Sequence, residues 1–189
     1  MSALSKCVVV EFCKLCDWAY ETWLHHRELF DNNPRAQELK QSFAGDELAR
    51  LSIISQEYSL LQIVKLHDRA VVSGKITLSL EYIMDYGAWS DATKQKLEPL
   101  YKKLNDFANQ LRGARNKLLS HNDLATILGG ATLGAFTKGD DEIYFQNLQE
   151  FVNIIHEEIV GAPWPDFNNL AKNDVAAFLN LISLAVPEA

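Results

Sequence analysis

Long apolar runs are missing from this sequence. The longest spans residues 175–186 and is broken by Asn180 and Ser183. A membrane-spanning helix needs about twenty apolar residues, so none is expected. Cysteine is scarce as well, with Cys7, Cys13 and Cys16 alone. An odd number without a regular framework excludes a disulfide-stapled secreted domain. Cys13 and Cys16 form a CxxC, but no second pair follows. All three lie in a helical pattern and read as small buried hydrophobes rather than as metal or redox ligands. Basic residues are outnumbered, 18 Lys and Arg against 25 Asp and Glu, for a net charge of −7. That total counts against a domain whose whole surface binds nucleic acid, although it hides local patches.

Familiar catalytic signatures are missing too. The glycines at 129 and 134 have the outer spacing of a phosphate loop, but Ala135 stands where its lysine belongs. There is no GxGxxG, and no GxSxG for a serine hydrolase. His156-Glu157-Glu158 lacks the second histidine of HExxH. His25 and His26 are adjacent and point to different sides of a helix, so they cannot chelate one ion. These histidines read as surface or helix-end residues. Neither a metal nor a cofactor is expected.

What is present is helical periodicity. Hydrophobic residues make up 48% of the chain and charged residues 23%, and its 189 residues suit one domain. A helix is predicted over 5–30, with Val8, Phe12, Leu15, Ala19 and Trp23 as its stripe. Pro34, after Asp31-Asn32-Asn33, ends it. A second is predicted over 46–69, with Asp46 as N-cap and Leu48, Leu51, Ile54, Tyr58, Leu61 and Val64 as its face. Ser73-Gly74 stops the chain beyond it. Shorter and longer helices follow over 79–86, 90–120, 141–160 and 166–185. In the helix over 90–120, Leu97, Leu100, Leu104, Phe107, Leu111, Ala114 and Leu118 alternate at spacings of three and four, a seam that faces other helices. Pro99 is expected to kink or restart it. No repeat and no alternation of strand and helix is visible. The expected fold is all-α, an up-and-down bundle of about five to six helices in a single domain over 1–189. A Gly-rich loop is expected at 122–140, where a hairpin would also fit. Loops this long are often functional. The early run Val8-Val9-Val10 is cut short by Glu11 and followed by Lys14 and Asp17, unlike a secretory signal, so a cytoplasmic location is expected.

One stretch is able to carry chemistry: Arg115-Asn116-Lys117-Leu118-Leu119-Ser120-His121. An Arg and a His at such spacing arise about half a time by chance in a chain of this composition, so position must carry the argument. The pair ends the long seam helix at the edge of the long loop. Residues 91–121 carry a charge of +4, leaving −11 on the rest. Such a locally basic helix can contact phosphates. Six residues turn a helix by about 600°, so Arg115 and His121 do not stack on one face. A joint site needs the helix to end near Ser120, or a second copy of the chain. The plainer reading is a helix end, where Arg, Lys and His are favoured. His67-Asp68, at the end of the helix over 46–69, has the same plain reading beside a supporting role in a site.

The segment Arg115-Asn116-x4-His121, followed by Asn122-Asp123, resembles the Arg-x(4–6)-His motif of the HEPN superfamily. Lys65-Leu66-His67-Asp68 followed by Ser79-Leu80-Glu81 resembles the abortive-infection, AbiU-type branch, as does Lys117-Leu118-Leu119-Ser120-His121-Asn122-Asp123. The resemblance covers roughly residues 46–160. It implies a helical bundle that pairs as a homodimer, in which Arg and His of two chains meet in a cleft and cut RNA without metal. Members of this kind are toxins or phage-defence effectors, so a protein antitoxin is a further partner to expect. Others are inactive and serve as binding modules. Carried over here, the catalytic pair is Arg115 and His121. Asn116, Lys117, Ser120, Asn122, Asp123, Arg112, His67 and Asp68 support it or hold substrate. The Gly-rich stretch over 129–139 departs from the pattern by enlarging the segment after the motif.

Overall fold

The computed structural model describes residues 4–35, 41, 45–114, 137–167 and 170–185. Helix α1, Lys6–His26, starts where Ser5 Oγ accepts a hydrogen bond from the Val8 amide. This is an N-cap that satisfies one of the helix's orphan donors. Its buried side is Val9, Phe12, Cys13, Cys16 and Ala19. The stripe expected through Leu15 is therefore rotated, and Leu15 is exposed. The two thiols take the inward places, but Cys7 is exposed and does not share the core role expected of it. The helix does not run regularly to residue 30. It widens into a π-helical turn, Arg27–Asp31, closed by the Asn32 amide donating to the Arg27 carbonyl at 2.7 Å. Asn33 Nδ2 then caps the Leu29 carbonyl, just ahead of Pro34.

Helix α2 is Gly45–Lys65, so Asp46 lies inside its first turn and is not its N-cap. The helix buries Leu48, Ser59, Ile63 and Val64, while Leu51, Ile54 and Tyr58 of the expected face are exposed. It ends four residues earlier than predicted, in a turn where the Leu66, His67 and Asp68 amides bond to the carbonyls of Ile63, Val64 and Lys65. A hairpin that periodicity did not signal comes next: β1, Val71–Val72, pairs antiparallel with β2, Lys75–Ile76. Ser73 and Gly74 both have positive φ, 51° and 78°, as a tight primed turn requires. Helix α3, Leu80–Tyr86, is capped by Ser79, whose hydroxyl accepts from the Tyr82 amide. Gly87 ends it, as expected. There the Trp89 ring occupies the place of a Cβ, with its nearest atoms 2.0 Å away, and its indole N–H donates to the Ile83 carbonyl.

Helix α4, Asp91–Ala114, runs unbroken through Pro99, so that proline does not restart it. Ser90 Oγ caps the Thr93 amide. The Thr93 hydroxyl in turn donates to Glu158 and fastens the start of α4 to the end of α5, Asp140–Val160. Helix α6 is Leu170–Ala185. The α4–α5 contact is the largest between elements, and α1 packs against α2, α5 and α6. Leu97, Leu100, Leu104, Phe107 and Leu111 form the buried face of α4, as the seam predicted. They meet Phe12, Phe151, Leu148 and Ile155 in one core. The result is an all-α bundle with a short hairpin. Among the described residues, no helix is long and apolar enough to cross a membrane.

Candidate functional site

Helix α4 is the described element that precedes the predicted motif in the chain. Its inward face is apolar, and its outward face carries Lys94, Lys96, Lys102 and Lys103, all exposed. Lys102 also pairs with Asp106 one turn on, at 2.6 Å. Arg112 belongs to the last described turn, with a side chain outside the described residues. Arg115, Asn116, Lys117, Ser120, His121, Asn122 and Asp123 lie outside the described residues, as does most of the Gly-rich stretch.

His67 is described, and it is not an exposed helix-end histidine. It is 6% exposed, just beyond α2, with both ring nitrogens engaged. Nδ1 lies 2.9 Å from Asn105 Oδ1 on α4, and Nε2 lies 3.0 Å from Tyr144 Oη on α5. An amide oxygen only accepts, so the Nδ1 proton donates to Asn105, while the Tyr144 hydroxyl can donate to Nε2 or accept from it. Burial holds the Tyr144 hydroxyl well above its ordinary range. It therefore stays protonated and able to donate. The ring joins the end of α2 to α4 and α5. Asn105 precedes Ala114 by nine residues, about 14 Å of helix. His67 therefore ties down α4 well before the end of that helix.

The chain around His67 is held just as firmly. The Leu80 amide donates to the Leu66 carbonyl at 2.8 Å, and the Ala70 amide donates to the Glu81 carboxylate. Lys65-Leu66-His67-Asp68 and Ser79-Leu80-Glu81, which lie apart in sequence, are thus one joined unit beside α4. Asp68 is half-buried in it. Sequence reasoning missed Asn105 and Tyr144. The one available signal was Asn105, a polar residue directly after the seam residue Leu104.

Of the other described histidines, His25 is exposed in the last turn of α1, as expected, and two are more buried than a surface reading predicts. His26 and His156 are buried, and His156 Nδ1 stands 2.6 Å from the Ala162 carbonyl. Among the described residues, no three His, Cys, Asp or Glu side chains gather to hold a metal ion.

The AbiU2 family model, HEPN_AbiU2, matches residues 6–178. No curated protein and no solved structure matches the chain. The family match begins at α1 and reaches into α6, well beyond the 46–160 that the motifs alone suggested. It includes the joined unit around His67, the basic helix and the whole of the Arg115–His121 segment, and the chain belongs to the HEPN_AbiU2 family.

Proposed function

We propose that the protein is a metal-independent endoribonuclease of the HEPN type, acting as a toxin or phage-defence effector. One observation carries this reading: α4, anchored through Asn105 and bearing exposed lysines, leads directly into Arg115-x5-His121 within the matched family region. The chemistry suits the residues. Histidine titrates near neutrality, so His121 takes the proton of a ribose 2′-hydroxyl or gives one to the leaving 5′-oxygen. Arg115 stays charged and can fork onto the phosphate oxygens as negative charge builds there. Attack of the 2′-oxygen on phosphorus breaks the bond to the 5′-oxygen and leaves a cyclic phosphate. DNA lacks the nucleophile. The pair does not stack on one helical face, and the family resemblance implies that a second copy of the chain completes the cleft, so the active form on this reading is a homodimer.

The test is RNA cleavage in the presence of chelator, comparing the wild type with His121→Ala. The wild type is expected to cut and the variant to lose at least about a hundredfold, the usual scale for a general acid or base. Equal cleavage by both would end the proposal. The net charge of −7 favours a second reading, a non-catalytic interaction module. Growth arrest on expression that disappears with Arg115→Ala would decide against that reading.

A further inference from the structure

A cavity of about 430 Å³ opens between α1, α2 and α6, away from α4. That is within the roughly 300–1,000 Å³ typical of small-molecule sites. Its lining follows helical spacing. Trp18, Glu21 and His25 come from one side of α1, Tyr58 from α2, and Ala171 and Asp174 from α6. Where three helices meet, apolar side chains ordinarily fill the space. Here two carboxylates, an imidazole and two aromatic rings surround it, and the small Ala171 leaves it open. No lysine or arginine among the described residues lines it. The Trp18 indole N–H donates to the Tyr58 hydroxyl at 3.2 Å, which fixes the two rings as neighbouring walls.

The sign and shape of this lining restrict what fits. Two carboxylates repel an anion, and their charge is felt locally: after burial, Glu21 is the next cause holding the Asp17 carboxyl above its ordinary range. A bare divalent ion needs several ligands converging on one point, and no such group of three exists among the described residues. A cation with an apolar body meets both conditions. Its charge faces Glu21 and Asp174, and its apolar body lies against the aromatic side chains of Trp18 and Tyr58.

We propose that this cavity binds a small free organic cation of the amine or guanidine class. The site is independent of the ribonuclease reading, since none of its three helices carries the Arg115–His121 segment. The experiment is isothermal titration of the full chain with agmatine, which carries both groups, and with pentanol as its neutral counterpart. Saturable one-to-one binding of agmatine alone is expected. Asp174→Asn, at an exposed position that folding tolerates, is expected to weaken it about tenfold or more. Ala171→Phe, which fills the cavity, is expected to abolish it, with circular dichroism verifying the fold. Absence of saturable agmatine binding would overturn the proposal, as would equal binding by wild type and Asp174→Asn. A blocked Gly-Arg-Gly peptide forms a further arm. Binding of the peptide without agmatine would overturn the free ligand and assign the cavity to a partner's side chain.

Discussion

The three thiols differ only in where the helix turns them. Cys7 sits on the exposed side of α1, whereas Cys13 and Cys16 are fully buried. Burial, and then the charge of Asp17, push the Cys13 thiol up to about 12, and burial drives Cys16 well above its ordinary range. Thiolate is the reactive form, so iodoacetamide is expected to label Cys7 alone in the native protein. The same shifts make stability depend on pH. Each buried thiol is held protonated in the fold, with a folded value above its unfolded value near 9. The stability tied to this is complete below pH 9 and is lost as pH rises from 9 towards 12. For Cys13 the loss at pH 10 is about 1 kcal/mol. Tyr144, also held protonated by burial, adds to it in the same direction from about pH 10. Urea unfolding at pH 7 and pH 10 checks this. An unchanged midpoint, or native labelling of Cys13, would count against sealed thiols.

Between elements, His67 is the joint whose loss should be most informative. His67→Ala leaves Asn105 Oδ1 and the Tyr144 hydroxyl without their ring partner and opens a void beside α4. The expected cost is about 3 kcal/mol, measured by urea unfolding. Tyr144→Phe removes one of the same bonds, so the double variant should lose less than the two single losses combined. Strict additivity would mean that the two groups are not coupled. This joint was not legible in the sequence, because its partners stand 38 and 77 residues from His67. The face of α4 was legible, since Leu97, Leu100, Leu104, Phe107 and Leu111 are the leucines and the phenylalanine of a helix with few other large apolar residues. Helix α2 was not, because it carries apolar residues around more of its circumference. Leu51, Ile54 and Tyr58 fit the helical period as well as Leu48, Ile63 and Val64 do, and only the packing against α1 and α4 chooses between them. The hairpin escaped notice because two-residue strands have no period to read, and Ser73-Gly74 marks a helix stop and a primed turn alike. The candidate motif stands in the sequence as residue types and position alone, and the second chain that the proposed function calls for leaves no trace in one sequence.

At the scale of the whole molecule, charge is divided between regions. Residues 91–121 carry +4 within a chain of −7. The cavity between α1, α2 and α6 shows two carboxylates and, among its described lining, no lysine or arginine. An acidic body repels RNA at long range, so on the proposed ribonuclease reading the substrate is drawn in along α4, which has a net positive charge. The steering should then be sensitive to salt. Single-stranded RNA releases roughly 0.7 counterions for each phosphate contact a lysine makes. Lys102 and Lys103 are exposed, and the Lys102–Asp106 pair at the surface contributes little to stability. Replacing both lysines with alanine should therefore leave the urea midpoint nearly unchanged. It should lower the slope of log affinity against log salt by roughly 1.4 if both touch phosphate. Fluorescence anisotropy with a labelled oligoribonucleotide and His121→Ala as background measures binding without cleavage. A slope unchanged by the double substitution would place the RNA path elsewhere on the molecule. A steep slope that falls with these two residues would make α4 the route by which an acidic protein reaches a polyanion.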